Sequence, residues 1–116
     1  MEHSRVLAQA LDACRDGILT FARDLIGIAS ENPPGNCYRE CAERIRVELD
    51  RLGLGCQVVD VPGFPERPRS NLLSFHGNGR RTLYFHGHYD VVPAQSREQF
   101  VPRIEDGRLR GRGAAD

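Results

Sequence analysis

The chain has 116 residues, of which 40% are hydrophobic and 28% are charged, a composition able to bury one small core. Its 16 basic and 16 acidic residues leave a formal net charge of zero, which argues against nucleic-acid binding because phosphate recognition needs excess positive charge. No apolar run approaches the roughly 18 residues of a membrane span, and no apolar signal segment follows the N-terminus. The composition therefore predicts a cytoplasmic protein with neither nucleic acid nor membrane as a partner.

The four cysteines allow three interpretations: disulfides, a metal site or free thiols. In the absence of an export signal, a reducing compartment favours free thiols that pack as small hydrophobic side chains. Cys37 and Cys41 lie one helical turn apart, but Cys14 and Cys56 are isolated, whereas a structural zinc site needs a second close pair. A zinc-finger or redox module built on these cysteines is therefore the weakest of the functional alternatives.

The first half of the chain predicts two helices. An apolar stripe with spacings of three and four predicts a first helix that packs on its own domain and ends near Ser30, before a Pro-Pro-Gly-Asn turn. A second helix is predicted from about Tyr38 to Leu52, with Gly53 at its C-cap. The stripe of the first helix consists of Leu7, Leu11, Cys14, Ile18, Phe21, Leu25 and Ile28.

The second half predicts strands. A first hairpin is expected to form around the turn Gly77-Asn78-Gly79, and a second around Asp106-Gly107. Two helices followed by strands indicate an α/β layer arrangement. The predicted strands are Cys56–Val61, then Asn71–His76 paired with Thr82–His86, then Val101–Glu105 paired with Arg108–Arg110.

The most informative residues follow the apolar segment 82–86. His86, His88 and Asp90 alternate, so an extended backbone would place all three side chains on one face. Imidazole and carboxylate groups together suit zinc, although polar residues that cap a strand and start a turn explain the same pattern. Two other metallohydrolase patterns fit less well: the metallo-β-lactamase type would have His where Val91 stands, and amidohydrolase barrels carry His-x-His on the first barrel strand of a long chain.

Longer motifs distinguish among these alternatives. The segments 87–93 (GHYDVVP), 100–102 (FVP) and 106–116 (DGRLRGRGAAD) occur in order. Together they closely resemble the zinc aminoacylase and exopeptidase family that includes acetylornithine deacetylase, succinyl-diaminopimelate desuccinylase, aminoacylase and the glutamate carboxypeptidases. The resemblance covers essentially the whole chain, but only the opening part of a family member.

The resemblance implies a fold and a metal site. The expected fold is α/β: residues 1–116 would be the N-terminal part of a zinc-exopeptidase-like catalytic domain, with two helices followed by strands of a mixed sheet. This domain is expected to be truncated, without the lid or dimerisation domain and the C-terminal half. His88 corresponds to the first metal ligand, Asp90 to the catalytic-site carboxylate that orients His88, and Asp116 to the carboxylate that bridges two Zn²⁺ ions, for which Co²⁺ can substitute. His86 has no ligand counterpart, and Arg108, Arg110 and Arg112 are interpreted as charged surface residues.

The implied activity is metal-dependent hydrolysis of an amide bond in a small-molecule N-acyl amino acid or peptide, of the deacetylase or desuccinylase type. The family's general base and remaining ligands have no counterparts here, so the chain alone is expected to bind zinc weakly and to be inactive. The oligomeric state is left open, since family homodimers form through the lid. The alternative is a truncated, non-catalytic homologue that acts as a binding or interaction module.

Overall fold

Two helices precede all the strands in the computed structural model, which describes residues 2–116. This order confirms the predicted α/β arrangement. The strands form two separate antiparallel hairpins, and an isolated parallel bridge joins Glu31 to Val91. In chain order the elements are α1 (Glu2–Ile26), α2 (Tyr38–Arg51), β1 (Gln57–Val61), β2 (Arg69–Leu73), a 3₁₀ helix (Arg97–Phe100), β3 (Arg103–Glu105) and β4 (Arg108–Arg110).

Helix α1 ends four residues earlier than predicted and packs over only part of its length. Its last residue, Ile26, is buried, although Ile26 is not a member of the predicted stripe. Stripe residues near the start of the helix stay open to solvent: Leu7 is 61% exposed and Leu11 is 54% exposed. The predicted packing on its own domain therefore holds only for the C-terminal part of α1. Among the described residues, neither α-helix has a stretch long and apolar enough to cross a membrane.

Helix α2 matches its prediction to within one residue. Gly53 donates its backbone N–H to the Asp50 carbonyl at 2.9 Å, and Leu54 donates to the Leu49 carbonyl at 3.0 Å. This pair of bonds is the Schellman arrangement, which satisfies carbonyls that the last helical turn would leave without partners. The helix end was predictable because the signal is local.

The predicted hairpin between residues 71–76 and 82–86 is wrong. Strand β2 pairs with β1 instead, in a register that places Gln57 opposite Leu73 and Val61 opposite Arg69. Residues 82–86 form no strand, and Phe85 is 84% exposed. A strand that is apolar at successive positions needs cover on both faces, and the described residues supply no such second layer to this segment.

The hairpin of β3 and β4 is confirmed. Arg103 lies opposite Arg110, and Glu105 lies opposite Arg108. Asp106 and Gly107 both have positive φ, 51° and 71°, as a two-residue type I′ turn requires. After this turn, β4 leads directly into residues 111–116, which carry Asp116.

The core is small and lies beside the residues that carry the candidate site. Ser30 is 2% exposed, and its hydroxyl is hydrogen-bonded rather than free. Buried polar groups need such partners because an unpaired one loses its bonds to water without replacement. The apolar residues of the core come from the end of α1, the start of α2 and the 3₁₀ helix: Ile26, Tyr38, Cys41, Ala42 and Phe100.

The cysteines are all free thiols, and they differ in burial. Cys41 is buried, which raises the pKa of its thiol from 9.0 to about 11, whereas Cys14 and Cys37 are exposed. Because only the thiolate reacts and the Cys41 side chain is also shielded from the reagent, Cys41 should be alkylated by iodoacetamide at least about tenfold more slowly than exposed Cys14 near neutral pH. Because the pKa of Cys41 is raised in the folded chain, its contribution to the free energy of unfolding is fully present below pH 9.0, the ordinary pKa of the thiol. That contribution is lost as the pH rises from 9.0 towards 11.

Peptide mass spectrometry after timed labelling measures this difference directly. In concentrated urea all four cysteines should react at similar rates, which controls for local sequence effects. Equal labelling of Cys41 and Cys14 in the folded chain would contradict the burial of Cys41.

Candidate metal centre

Residues 30–32 run alongside residues 89–91 and hold them in place. Val91 donates its backbone N–H to the Ser30 carbonyl at 2.9 Å, and Asn32 donates its N–H to the Val91 carbonyl at 2.8 Å. The Ser30 hydroxyl donates to the Tyr89 carbonyl at 2.6 Å. The turn after α1 therefore fixes the backbone of the segment that carries the predicted site residues.

Tyr89 points away from that site and anchors the segment on its other side. Its hydroxyl donates to the Ser70 carbonyl at 2.8 Å and accepts the Ser70 N–H at 3.3 Å. Its ring meets the Tyr38 ring edge-on, with centroids 5.6 Å apart. Since neighbouring side chains alternate along an extended chain, His88 and Asp90 lie together on the opposite side.

His88 and Asp90 are in direct contact. Nδ1 of His88 lies 2.9 Å from Oδ1 of Asp90 and 3.0 Å from the Asp90 carbonyl oxygen. Both of these partners are acceptors, so the geometry assigns the proton to Nδ1 and leaves Nε2 as the lone-pair nitrogen. The hydrogen bond to Asp90 raises the pKa of His88 above its usual value. The pKa of Asp90 is lowered, first by a hydrogen bond from Asn32 and also by His88.

Asp116 is brought to the other nitrogen of His88. Nε2 of His88 lies 3.8 Å from Oδ2 of Asp116, a separation too long for a direct hydrogen bond. The chain approaches through a turn in which Ala114 donates to the Gly111 carbonyl at 3.2 Å. Gly113, at φ 80°, passes so close to Val91 that a Cβ there would lie 2.6 Å from Cγ1 of Val91. A glycine is therefore required where this turn passes the strand-like segment 89–91.

The interpretation of the three arginines as charged surface residues is wrong for Arg112. Arg108 and Arg110 are exposed, but Arg112 is partly buried and donates from Nη2 to the Pro93 carbonyl at 2.7 Å. Its backbone N–H also donates to the Gln99 carbonyl at 2.8 Å. Arg112 thus fastens the turn before Asp116 to the loop that follows Val91.

The donor set fits part of a zinc site. Imidazole nitrogen and carboxylate oxygen each bind zinc at roughly 2.0–2.2 Å, so two ligands of one ion lie no more than roughly 4.4 Å apart. The 3.8 Å between His88 and Asp116 satisfies this limit. Within residues 2–116, however, no three His, Cys, Asp or Glu side chains converge as a metal-binding group. His86 lies outside the contact set, and its ring stacks with Tyr84 at 6.4 Å.

The contribution of Asn32 and Glu31 was not foreseen from the sequence. Nδ2 of Asn32 donates to Oδ2 of Asp90 at 3.0 Å, across 58 residues. The Glu31 carboxylate accepts the Ala94 N–H at 2.9 Å and pairs with Arg97 at 2.9 Å, and the Ala94 bond is the main cause of its lowered pKa. Nothing in the local sequence around the Pro-Pro turn indicates these distant partners.

The comparisons with known proteins agree with the motifs. Residues 84–116, which include all three predicted site residues, match peptidase family M20/M25/M40. No solved structure matches the chain significantly.

Curated relatives extend the similarity over most of the chain. A succinyl-diaminopimelate desuccinylase from Azoarcus sp. (strain BH72) is 39% identical over 103 residues, which are 84% of this chain and 25% of that protein. Another, from Xanthomonas euvesicatoria pv. vesicatoria, is 40% identical over 105 residues, 85% of this chain and 26% of its own length. A third, from Herminiimonas arsenicoxydans, is 35% identical over 103 residues, with 84% and 25% covered. The chain thus spans about a quarter of the length of these relatives. The resemblance inferred from the motifs is therefore confirmed: most of this chain is similar to succinyl-diaminopimelate desuccinylases, and residues 84–116 match peptidase family M20/M25/M40.

Proposed function

We propose that this chain forms the N-terminal part of the catalytic domain of a zinc-dependent amidohydrolase. In this proposal His88 and Asp116 are zinc ligands, and Asp90 orients His88. The observation that carries the proposal is the line of contacts from Asp90 through His88 to Asp116, with distances of 2.9 and 3.8 Å. A carboxylate–histidine pair with a free Nε2 beside a second carboxylate is typical of zinc sites.

The residues of this chain have distinct tasks in the reaction. Asp90 keeps the proton of His88 on Nδ1, so the lone pair of Nε2 stays on the side of Asp116. The Asp116 carboxylate places negative charge beside Nε2 of His88. When bound, zinc supplies Lewis-acid polarisation of an amide carbonyl and activation of water.

The proposed substrate class is a small molecule with an N-acyl amide bond. This part of the proposal depends on the relatives, whose names describe desuccinylation of succinyl-diaminopimelate. The described residues do not define a pocket for the acyl group, so deacetylation and peptide hydrolysis belong to the same proposal. A cytoplasmic location stays a prediction.

A non-catalytic binding module is the second candidate. It is favoured by one observation: the described residues bring together two zinc donors besides the orienting Asp90, and no third ligand joins them. On this interpretation the chain would bind a partner or a single ion without hydrolysing an amide.

Zinc titration of the purified chain, with competition by a chromophoric chelator, tests the proposal. We expect weak binding by the native chain and about tenfold or greater loss of affinity in His88→Ala and in Asp116→Ala, since each removes a direct ligand. His86→Ala is the matched control, because it removes an exposed histidine two residues away and should leave the affinity unchanged. The side chain of His88 is 55% exposed, so its removal should not disturb the core.

Two results would count against the proposal. Unchanged zinc affinity in His88→Ala would remove His88 from the ligand set, and loss of binding on cysteine alkylation alone would indicate a thiolate site. The chain by itself should not hydrolyse N-acetylornithine. Metal-dependent hydrolysis would show that these two donors suffice for catalysis.

A further inference from the structure

The carboxylate of Asp90 is held at both of its oxygens. Oδ1 accepts from Nδ1 of His88 at 2.9 Å, and Oδ2 accepts from Nδ2 of Asn32 at 3.0 Å. The terminal torsion of an aspartate is soft, so one hydrogen bond alone leaves the plane of the carboxylate poorly defined. Two donors on opposite oxygens define that plane.

Asn32 is itself well placed to act as a fixed donor. Its backbone N–H bonds to the Val91 carbonyl at 2.8 Å, and the preceding residue, Glu31, accepts the N–H groups of Gly35 and Asn36 at 2.8 and 3.0 Å. The turn that carries Asn32 is therefore closed by backbone bonds. The side-chain amide is free to reach Asp90 rather than being used to close its own turn.

We propose that Asn32 is a positioning residue, whose amide fixes the rotation of the Asp90 carboxylate so that Oδ1 faces His88. The hydrogen bond is charge-assisted, because its acceptor is a carboxylate, which makes it stronger than a bond between two neutral groups. Asn32 acts through Asp90 on His88 and lies one step further from the proposed metal. The consequence for zinc rests on the proposed function, whereas the orientation of His88 does not.

The proposal differs from a purely structural role for Asn32. Asparagine before proline commonly starts a turn by bonding to nearby backbone. Here the side chain bonds to a carboxylate 58 residues away. Removal of the amide should therefore change the state of His88 even where the turn is intact.

The test is the tautomer of His88 in the metal-free chain, measured by long-range ¹H–¹⁵N correlation at a pH where the imidazole is neutral. In the native chain we expect neutral His88 to carry its proton mainly on Nδ1. Exposed His86 provides, in the same spectrum, the reference mixture of the Nδ1–H and Nε2–H tautomers. Asn32→Ala should shift His88 towards the His86 mixture. Asn32→Leu, which is close to asparagine in size but has no hydrogen-bond donor in its side chain, should shift it at least as far.

A matched control and a fold check accompany these variants. Asn78→Ala removes an asparagine from the exposed segment 77–79 and should leave His88 unchanged. The amide signals of Val91 and Gly35, whose N–H groups bond to the Ser30 and Glu31 carbonyls, report whether the backbone pairing and the turn survive. Should Asn32→Ala disturb those signals, Asn32→Leu, which is close to the native size, decides the outcome.

The inference is overturned if His88 keeps the native tautomer in both variants. It is also overturned if only Asn32→Ala alters the tautomer, because that result would indicate a space-filling role.

Zinc titration separates this result from the proposed function. With His88 as a ligand, Asn32→Ala should lower zinc affinity by about 10-fold or more, as removal of groups that orient ligands commonly does. If the tautomer shifts while His88→Ala leaves zinc binding unchanged, Asn32 still orients His88 and the proposed metal site fails.

Discussion

Substitution of Gly113 by alanine is expected to move Asp116 away from His88 and to weaken zinc binding to the level of Asp116→Ala. The backbone at Gly113 has φ 80°, a region that costs an L-residue roughly 1–2 kcal/mol. The added Cβ would also lie 2.6 Å from Cγ1 of Val91, and overpacking of this kind costs about 1–3 kcal/mol more. The turn can relieve the clash by shifting away from Val91 and the strain by changing φ at residue 113, and either change moves the backbone that leads to Asp116.

Chelator competition and chemical-shift changes at His88 measure this effect. Gly87→Ala is the control, because Gly87 adjoins His88 but has open space around it and no left-handed φ. In a double variant, Val91→Ala should restore part of the affinity, since it removes the clash and leaves the backbone strain. An unchanged His88 environment in Gly113→Ala would show that this close approach does not position Asp116.

Replacement of Phe100 by alanine should produce the largest loss of stability, about 3–5 kcal/mol. Phe100 is 8% exposed and is one of the few large buried side chains among the described residues. Loss of a buried aromatic side chain removes its transfer free energy and leaves a cavity. The neighbouring Gln99 carbonyl binds Arg112, so loosening of the 3₁₀ helix should also loosen the turn before Asp116.

Urea denaturation followed by circular dichroism gives the free energy of unfolding for this comparison. Phe75→Ala is the matched control, because Phe75 is 76% exposed and its removal should change stability by no more than about 0.5 kcal/mol. Equal stability of the two variants would contradict the proposed core.

Local signals account for the elements that were predicted correctly. The end of α2 follows from Gly53, and the β3–β4 hairpin follows from Asp106-Gly107. Each depends on residues within a few positions of one another, so chain geometry and turn chemistry suffice. The same reasoning failed for residues 82–86, because strand pairing depends on which partner is available, and β2 pairs with β1.

The candidate site likewise combines a local feature that the sequence predicted with a long-range contact that it did not predict. The spacing of His88 and Asp90 predicted that they share a face, and their side chains lie 2.9 Å apart. The roles assigned to His88, Asp90 and Asp116 came from the family resemblance and stay predictions. Asn32 carries no signal that connects it to Asp90, since their contact depends on the pairing of two segments far apart in the chain.

The sequence by itself determined that two helices precede the strands, where α2 ends, the turn between β3 and β4, the family resemblance and the alternation of His88 with Asp90. Only the tertiary structure decided that Asn32 reaches Asp90, that Asp116 approaches His88 and that Arg112 fastens the intervening turn. The physical reason is one of range. Periodicity and turn chemistry act between residues a few positions apart, whereas these contacts join residues 19 to 58 positions apart and therefore depend on how distant segments of the chain pack.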